Sequence, residues 1–389
     1  MGEKHLSYRK SIIQQLYFSE SLSCAELSDR VGKSLPIVTK ILNELVEEGY
    51  AVDTGLAPST GGRRSLRYAL RPDVMYVVSV AVDQFITRIV LLDMYNKPLG
   101  ALEKFELPLE DNPRSLQELT DRIDDVIRAS GVDRGRIAGV GIGMPGFVDP
   151  IKGVNFTFLA APSGTLTAYM EDRLQLPVFI GNDSSLIALA ELKFGAARDR
   201  KTAMVINISW GIGLGLVLNS ELFRGENGFA GEFSHLPLFL NGKICSCGKR
   251  GCLETEASLL VVLDKAREGL KQGKQSLIRR LSESHHEEDM EAVTEAARRG
   301  DQFAIGLLSE AGYTLGRGAA VLIHLLNPET IILSGRGASP GILWQTPIQQ
   351  ALNEHCIPRL ASGTSIQVST LGYNAAIIGA AALVMDHHY

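Results

Sequence analysis

The sequence predicts an α/β protein in two parts: a small helical head and a long body made of two similar lobes. Three observations lead there. The first seventy or so residues read as three short helices followed by a basic hairpin, and the rest runs twice through strands and helices in alternation. Within the second of these runs lies a histidine and cysteine cluster, GEFSHLPLFLNGKICSCGKRGCLE, from Gly231 to Glu254.

At 389 residues with 45% hydrophobic content, the chain can bury two or three cores. The apolar stretch near its end, Ala375 to Met385, is too short to span a bilayer and contains Gly379. With no leader-like segment, the expected location is cytoplasmic, with no membrane partner. The net charge of −5 is divided unevenly. Residues 1–71 carry 10 Lys/Arg against 8 Asp/Glu, a net of +2, which leaves −7 for the remainder. A mildly basic head on an acidic body fits a DNA-binding segment attached to something else.

The head is expected to span residues 1–71. Arg9 to Phe18 places Ile12, Ile13, Leu16 and Tyr17 on one helical face. Ser23 precedes a second helix, with Glu26 three residues on, as in a capping box. Gly32 marks a turn, and Ser34 opens a third helix with Pro36 in its first turn. Its buried stripe is expected to be Ile37, Val38, Ile41, Leu42 and Leu45, with Ser34, Thr39, Lys40 and Asn43 facing outward, as a major-groove helix would require. Then follows TGLAPSTGGRRSLRYAL, two short extended segments around a Gly-Gly turn, with Arg63, Arg64 and Arg67. Three helices and a basic wing in this order predict a winged helix-turn-helix. Its expected DNA contacts are Ser34, Pro36, Thr39, Lys40, Asn43, Arg63 and Arg64. The plainer alternative is the same fold used for protein contacts.

From Met75 the pattern turns to strands, and the body is expected to run over residues 72–389. MYVVSVAVD, TRIVLLDMY and IAGVGIGMPGFVD read as strands around a helix near Leu116 to Ser130, and VFIGND leads into the helix SLIALAELKFG. A second set opens with TAMVINISWGIGLGLVLN, continues through helices from Leu259 to Gly300 and Gln302 to Leu326, and reaches the strand TIILSG. AAIIGAAALVM closes the chain as a helix. Strands alternating with helices predict parallel sheets covered on both faces. The two lobes are placed at approximately 72–190, together with the C-terminal helix, and 191–374.

Four residues of the cluster, His235, Cys245, Cys247 and Cys252, supply one imidazole and three thiolates, a complete set for one structural zinc ion per chain. A reactive-thiol group is the alternative. Glu232 and Glu254 bracket the cluster, so a metal there would fix where two carboxylates point. Cys24 and Cys356 sit in ordinary periodic segments. Gly141-x-Gly143-x-x-Gly146 matches a dinucleotide fingerprint only formally, because Pro145 and FVDPIKG do not open a helix. Gly211, Gly213 and Gly215 read equally as a phosphate-approaching loop or as a tight turn between two strands. Asn182-Asp183 ends a strand and opens a helix, so Asp183 is either a helix cap or a carboxylate beyond the sheet's carboxyl ends.

GEFSH and CSCGKRGCLE, with GMPGFVD and GND upstream, resemble the ROK family of repressors, open reading frames and sugar kinases. The head resembles that family's repressor branch, whose members respond to xylose, N-acetylglucosamine or glucose. The resemblance implies a hexokinase/actin-like (ribonuclease H-like) duplicated α/β body that dimerises or forms a dimer of dimers. It implies sugar contacts at Asn182, Asp183, Glu232, His235 and Glu254, and metal ligation by His235, Cys245, Cys247 and Cys252. His235 would then serve both metal and sugar through its two distinct ring nitrogens.

The departures from the family pattern are as telling. Its kinases open the first lobe with Asp-x-Gly-Gly-Thr-Lys, whereas this chain reads Asp83-Gln84-Phe85-Ile86-Thr87-Arg88. Ser209-Trp210 replaces a small Thr-Gly pair, Ser334-Gly335-Arg336-Gly337 keeps the nucleotide-side stretch only in part, and Ser234 and Ser185 stand where glycine and asparagine are usual. With the sugar side kept and the ATP side altered, the expectation is a sugar-responsive transcriptional regulator, most simply a repressor, on a palindromic operator, with no catalytic residue. The competing reading is an ATP-dependent sugar kinase with a fused DNA-binding head, in which Asp183 is the base. A third makes the body a docking surface for a transporter or phosphotransfer protein.

Overall fold

The computed structural model describes residues 3–56, 65–110, 112–282 and 284–388. They form two compact units, Met1–Asp183 with Ile377–Tyr389, and Ser184–Ala376.

The first unit opens with helices α1 (Glu3–Tyr17), α2 (Cys24–Val31) and α3 (Leu35–Glu47), with the short strand β1 (Leu22–Ser23) ahead of α2. Strands β2 (Ala51–Leu56) and β3 (Leu66–Leu70) complete an antiparallel sheet of order β1-β3-β2. Helix α1 starts six residues earlier than its apolar face alone suggested, because its polar first turns carry no core signal. Ile12, Ile13, Leu16 and Tyr17 are all buried. The capping box is made: Glu26 N–H donates to Ser23 Oγ at 3.3 Å and Ser23 N–H to Glu26 Oε2 at 2.7 Å. That contact also holds the Glu26 carboxyl below the usual glutamate range.

In α3, Val38, Ile41, Leu42 and Leu45 are buried while Ile37 is exposed, which corrects the expected stripe. The four buried side chains follow the i, i+3, i+4, i+7 rule, and Ile37 lies one residue out of phase. Thr39 correspondingly turns half inward. Arg67 is also reassigned. Its guanidinium is bound to Ser21 and to Glu26 at 3.1 Å, so it ties the sheet to the helices rather than reaching outward. Arg63 and Arg64 lie outside the described residues.

The lobe that follows carries β4 (Tyr76–Val82), β5 (Ile86–Asp93), β6 (Pro98–Glu106), α4 (Ser115–Ser130), β7 (Ile137–Met144), the β8 (Val148–Asp149)–β9 (Val154–Asn155) hairpin, α5 (Leu166–Leu174) and β10 (Val178–Asn182). Its sheet order is β10-β7-β4-β5-β6. The second unit holds α6 (Asp183–Phe194, its first residue in the first unit), β11 (Thr202–Ile208), β12 (Ile212–Leu218), β13 (Glu221–Phe223), α7 (Glu254–Ala257), α8 (Leu259–Lys271), α9 (His286–Arg298), α10 (Gln302–Leu326), β14 (Thr330–Ser334), α11 (Ile342–His355), α12 (Pro358–Ala361) and β15 (Ser365–Val368). Its sheet order, β13-β12-β11-β14-β15, repeats the first lobe's arrangement strand for strand. In each lobe a three-strand meander is extended by two strands on the side of its first strand, which is the duplication the sequence suggested.

The sheets are mixed, not wholly parallel. β4, β5 and β6 pair antiparallel, as do β11, β12 and β13, and only the added strands run parallel. Connections as short as Asp83–Phe85 and Ser209–Gly211 leave no room for a crossover, so their strands must reverse.

The last helix, α13 (Ala375–His388), lies mostly in the first unit and binds its parts together. A Cβ on Gly141 of β7 would fall 1.9 Å from Ala380 O, so the helix backbone rests directly on the sheet. Ser79 Oγ donates to Ile377 O. At the other end Gln14 of α1 donates its amide to Met385 O and Asp386 O at 3.1 and 3.2 Å. Tyr17 Oη donates to Asn96 Oδ1 at 2.6 Å, and Tyr95 Oη to Leu70 O at 2.9 Å, which fastens the head to the β5–β6 turn. Gly141→Ala should therefore cost about 1–3 kcal/mol by overpacking, seen as a lower melting temperature. An unchanged melting temperature would show that α13 can lift off β7 at no cost.

Candidate functional site

The histidine–cysteine cluster lies in the second unit. A short 3-10 turn, Phe233–His235, presents His235, and bridges Pro237↔Cys252 and Ile244↔Arg250 close the loop behind it. Cys245 N–H donates to Lys249 O at 2.8 Å and Gly248 N–H to Cys245 O at 2.9 Å, a tight turn that carries Cys247. Gly251 admits the Phe239 carbonyl, since a Cβ there would lie 1.7 Å from Phe239 O. The ligand atoms of His235, Cys245, Cys247 and Cys252 all lie within 4.8 Å of one another. Cys247 Sγ is 3.6 Å from Cys252 Sγ, and Cys245 Sγ is 3.5 Å from His235 Nδ1. Such a group could hold a metal ion.

Its electrostatics favour one. The Lys249 backbone N–H holds the exposed Cys247 thiol below its ordinary value, while burial, helped by Cys247 and Cys245, pushes Cys252 up to about 12. Three thiolates cannot share so small a volume without a dication to neutralise them. His235 turns Nδ1 to Cys245 and Nε2 to Glu232 Oε2, 3.6 Å away. A ligand imidazole whose other nitrogen meets a carboxylate is a recurring way of orienting the ring. Burial, reinforced by Glu254, raises the Glu232 carboxyl against the pull of His235. Glu254 accepts from Ile212 N–H at 3.4 Å and meets Cys245 Sγ at 3.8 Å, so it links the loop to β12. The structure thus brings Glu232, His235 and Glu254 together with the cysteines.

The other two expected sugar contacts lie in the first unit. Asn182 ends β10 and donates to Gly146 O at 3.3 Å, which ties it to the GMPGF loop. Asp183 is the first residue of α6. Ser185 and Ser234 are both buried.

In the β4–β5 turn, Asp83 Oδ1 accepts the backbone N–H groups of Phe85 and Ile86, each at 2.8 Å. The kinase pattern keeps this aspartate, so the departure lies in Phe85 and Ile86, whose side chains stand where that pattern has glycine. Around Gly211 the tight-turn reading holds: Ser209 N–H donates to Gly211 O at 3.0 Å, between the antiparallel strands β11 and β12. Gly213 and Gly215 serve packing, since a Cβ on them would fall 1.9 Å from Ser184 Oγ and 2.2 Å from Ala188 Cβ on α6. Gly146 is followed by β8, not a helix, so no dinucleotide motif forms.

In the head, Ser34, Pro36, Lys40 and Asn43 are exposed on α3 or its cap, and Thr39 is half-buried. Sequence reasoning missed two features of the second unit. Glu191 is fully buried, accepts from Ser334 Oγ at 2.8 Å and from Ser369 Oγ, and takes Ala196 N–H at 3.0 Å. Arg336 is packed against Trp210 and Tyr373. The contacts of Glu191 with Ser334 and Ser369, and of Arg336 with Trp210 and Tyr373, join segments distant in the chain, so no local pattern shows them.

A duplicated α/β body with a helical head, an altered phosphate turn and a thiol–imidazole loop defines a class shared by sugar kinases and repressors. The chain belongs to the ROK family, whose model matches residues 100–387. It is 27% identical to a xylose repressor of Caldicellulosiruptor bescii over 96% of this chain and 94% of the relative. It is 32% identical to a glucokinase of Halalkalibacterium halodurans over 73% of this chain and 88% of the relative. A crystal structure of a ROK family transcriptional regulator, a homologue of the E. coli MLC protein, superposes with a TM-score of 0.79 at 25% identity, covering 98% of this chain and 97% of that one. Among the described residues no helix is long and apolar enough to cross a membrane.

Because all thiol ligands must ionise, metal uptake should release protons, and metal retention against a chelator should be stronger at about pH 8 than at about pH 5. Metal content by emission spectroscopy checks it, and Cys252→Ser should lose the metal at both values. Retention independent of pH would remove the cluster as the binding site.

Proposed function

We propose that this chain is a sugar-responsive transcriptional repressor of carbohydrate-metabolism genes, bearing one structural zinc ion and working as a dimer on a palindromic operator. The observation that carries the reading is coverage. The repressor relative matches head and body alike, whereas the glucokinase match covers only about three quarters of the chain. Phe85 and Ile86 support it, since they stand where the kinase pattern has the glycines that let backbone approach phosphate.

Zinc suits the cluster because a tetrahedron with Zn–S bonds of about 2.3 Å has edges of about 3.8 Å, near the 3.6 and 3.5 Å separations found. His235, Cys245, Cys247 and Cys252 would hold it, and the ion would supply the charge that keeps three thiolates together. A sugar recognised by Asn182, Asp183, Glu232, His235 and Glu254 would meet acceptors and donors that pair adjacent hydroxyls and reject analogues lacking them. It regulates only through different affinities for the DNA-competent and incompetent states. Attachment of the head to the first lobe through α1 and α13 supports a response in which lobe movement reaches α3. Ser34, Pro36, Thr39, Lys40 and Asn43 of α3, with Arg63 and Arg64 of the wing, are the proposed DNA contacts.

The second reading, a working sugar kinase, draws on the glucokinase likeness and on the retained Asp183. Turnover of ATP with a hexose, pentose or amino sugar that vanishes in Asp183→Asn would establish it and end the proposal. On the repressor reading, Glu232→Ala keeps operator affinity but blunts the sugar effect at least tenfold. Asn43→Ala, in contrast, weakens operator binding by about 1–3 kcal/mol with the effector site intact. Gel-shift titrations with and without sugar distinguish these, and equal loss of both properties in both variants would contradict the division of labour.

A further inference from the structure

The exposure of Ile37 leaves the first turn of α3 with apolar surface that the core does not use. Leu35 is 48% exposed and Ile37 42%, and they flank Pro36, which is exposed as well. The core side of the helix is filled by Val38, Ile41, Leu42 and Leu45. Ser34, which caps the turn, is exposed and makes no side-chain cap bond. The leading turn thus offers two bulky hydrocarbons, a proline ring and one hydroxyl, with no amide, guanidinium or carboxylate. Along the same outward side, Lys40 and Asn43 follow Pro36 at four and seven residues, so the apolar end and the polar stretch share one helical stripe.

Charge orients this helix. Lys33 and Lys40 bracket its leading turn, whereas Glu44, Glu47 and Glu48 gather at its trailing end. His5 Nε2 meets Glu44 at 2.9 Å and Arg9 meets Glu48 at 2.5 Å, while Glu47 is exposed. A polyanion is therefore attracted to the leading turn and repelled from the trailing one. In that approach the leading side chains of a groove helix are the ones that reach base edges.

On the major-groove edge of the base pairs, the distinctive apolar group is the C5-methyl of thymine, and the other recognition groups are hydrogen-bond donors and acceptors. Leu35 and Ile37 would leave those polar groups unpaired, at a cost, and can gain only from the methyl. We infer that Leu35 and Ile37 are specificity-determining residues that read thymine methyl groups, so that each operator half-site sets thymine against the first turn of α3. This rests on the reading of the chain as a DNA-binding repressor, and adds which base the helix selects and by which group.

Duplexes recovered from a random library by the full-length wild-type protein supply the probe. Each thymine in turn would be replaced by deoxyuridine, which lacks only the 5-methyl group and keeps every hydrogen-bonding atom. Affinities by fluorescence anisotropy would be compared for wild type, Leu35→Ala, Ile37→Ala and Asn43→Ala. The wild type should lose about fourfold at a thymine of each half-site, the worth of one buried methyl group. In Leu35→Ala or Ile37→Ala the thymine duplex itself should bind more weakly, and deoxyuridine at the matching position should cost nothing further. Asn43→Ala should weaken binding yet keep the full methyl dependence, which separates methyl reading from a general loss of contact. Both apolar side chains are exposed, so their removal should leave the head folded, as circular dichroism will show. Equal binding of thymine and deoxyuridine duplexes, or a methyl dependence unchanged in both alanine variants, would overturn the inference and leave the repressor reading standing. A library that yields no bound duplex would bring down the repressor reading and this inference with it.

Discussion

The contact of the terminal helix with the first lobe is the constraint on which the rest of the first unit depends. With no side chain at Gly141, the backbone of α13 reaches β7, and Ser79 fastens the helix near its start. Its last carbonyls are then satisfied by Gln14 of α1, a residue more than 370 positions away in sequence. Helix C-termini leave such carbonyls without intrahelical partners, and here a side chain from the head meets that need. The head, which has its own buried side chains in Ile12, Leu16, Leu27, Ile41 and Leu45, is thereby fastened to the lobe. The chain passes between its two units at Asp183–Ser184 in α6 and Ala376–Ile377 in α13, so the helix that holds the head is also one of the two covalent connections.

Charge decides what the two lobes can bind. In the loop from His235 to Cys252, one imidazole and three thiols are gathered closely enough that they could hold a metal ion, and Glu232 and Glu254 are positioned from the same framework. In the β4–β5 turn, Asp83 takes up the amides of Phe85 and Ile86. In the second unit, a cationic side chain rests against Trp210 and Tyr373. These are local arrangements of a few side chains on a fold that the two lobes share, which is how one architecture accommodates both kinases and regulators.

Much of this was legible from residues alone because the relevant physics is local. The capping box at Ser23 and Glu26 joins groups three residues apart, and the thiol–imidazole loop closes within eighteen residues, His235 to Cys252. The lobe duplication shows as two successive runs of the same strand and helix pattern. Strand direction was less legible. An apolar strand reads the same in either sense, and only the shortness of the connecting turns forces the meanders to run antiparallel. The stripe of α3 was misjudged at Ile37 because two apolar neighbours compete for one face, and packing against α1 and α2 chooses the phase.

The sequence by itself determined which His and Cys side chains could share a metal and the alternation that makes each lobe. Tertiary structure alone decided that Asp83 closes the β4–β5 turn, that Gly213 and Gly215 admit α6 close to β12, and that Arg67 anchors the head. It also decided that Glu191 is satisfied by hydroxyls from Ser334 and Ser369, more than 140 residues away. The reason is common to all of these. Which donor a carboxylate meets, and which backbone a glycine admits, depends on segments brought together only when the sheets and helices pack, and no spacing along the chain encodes it.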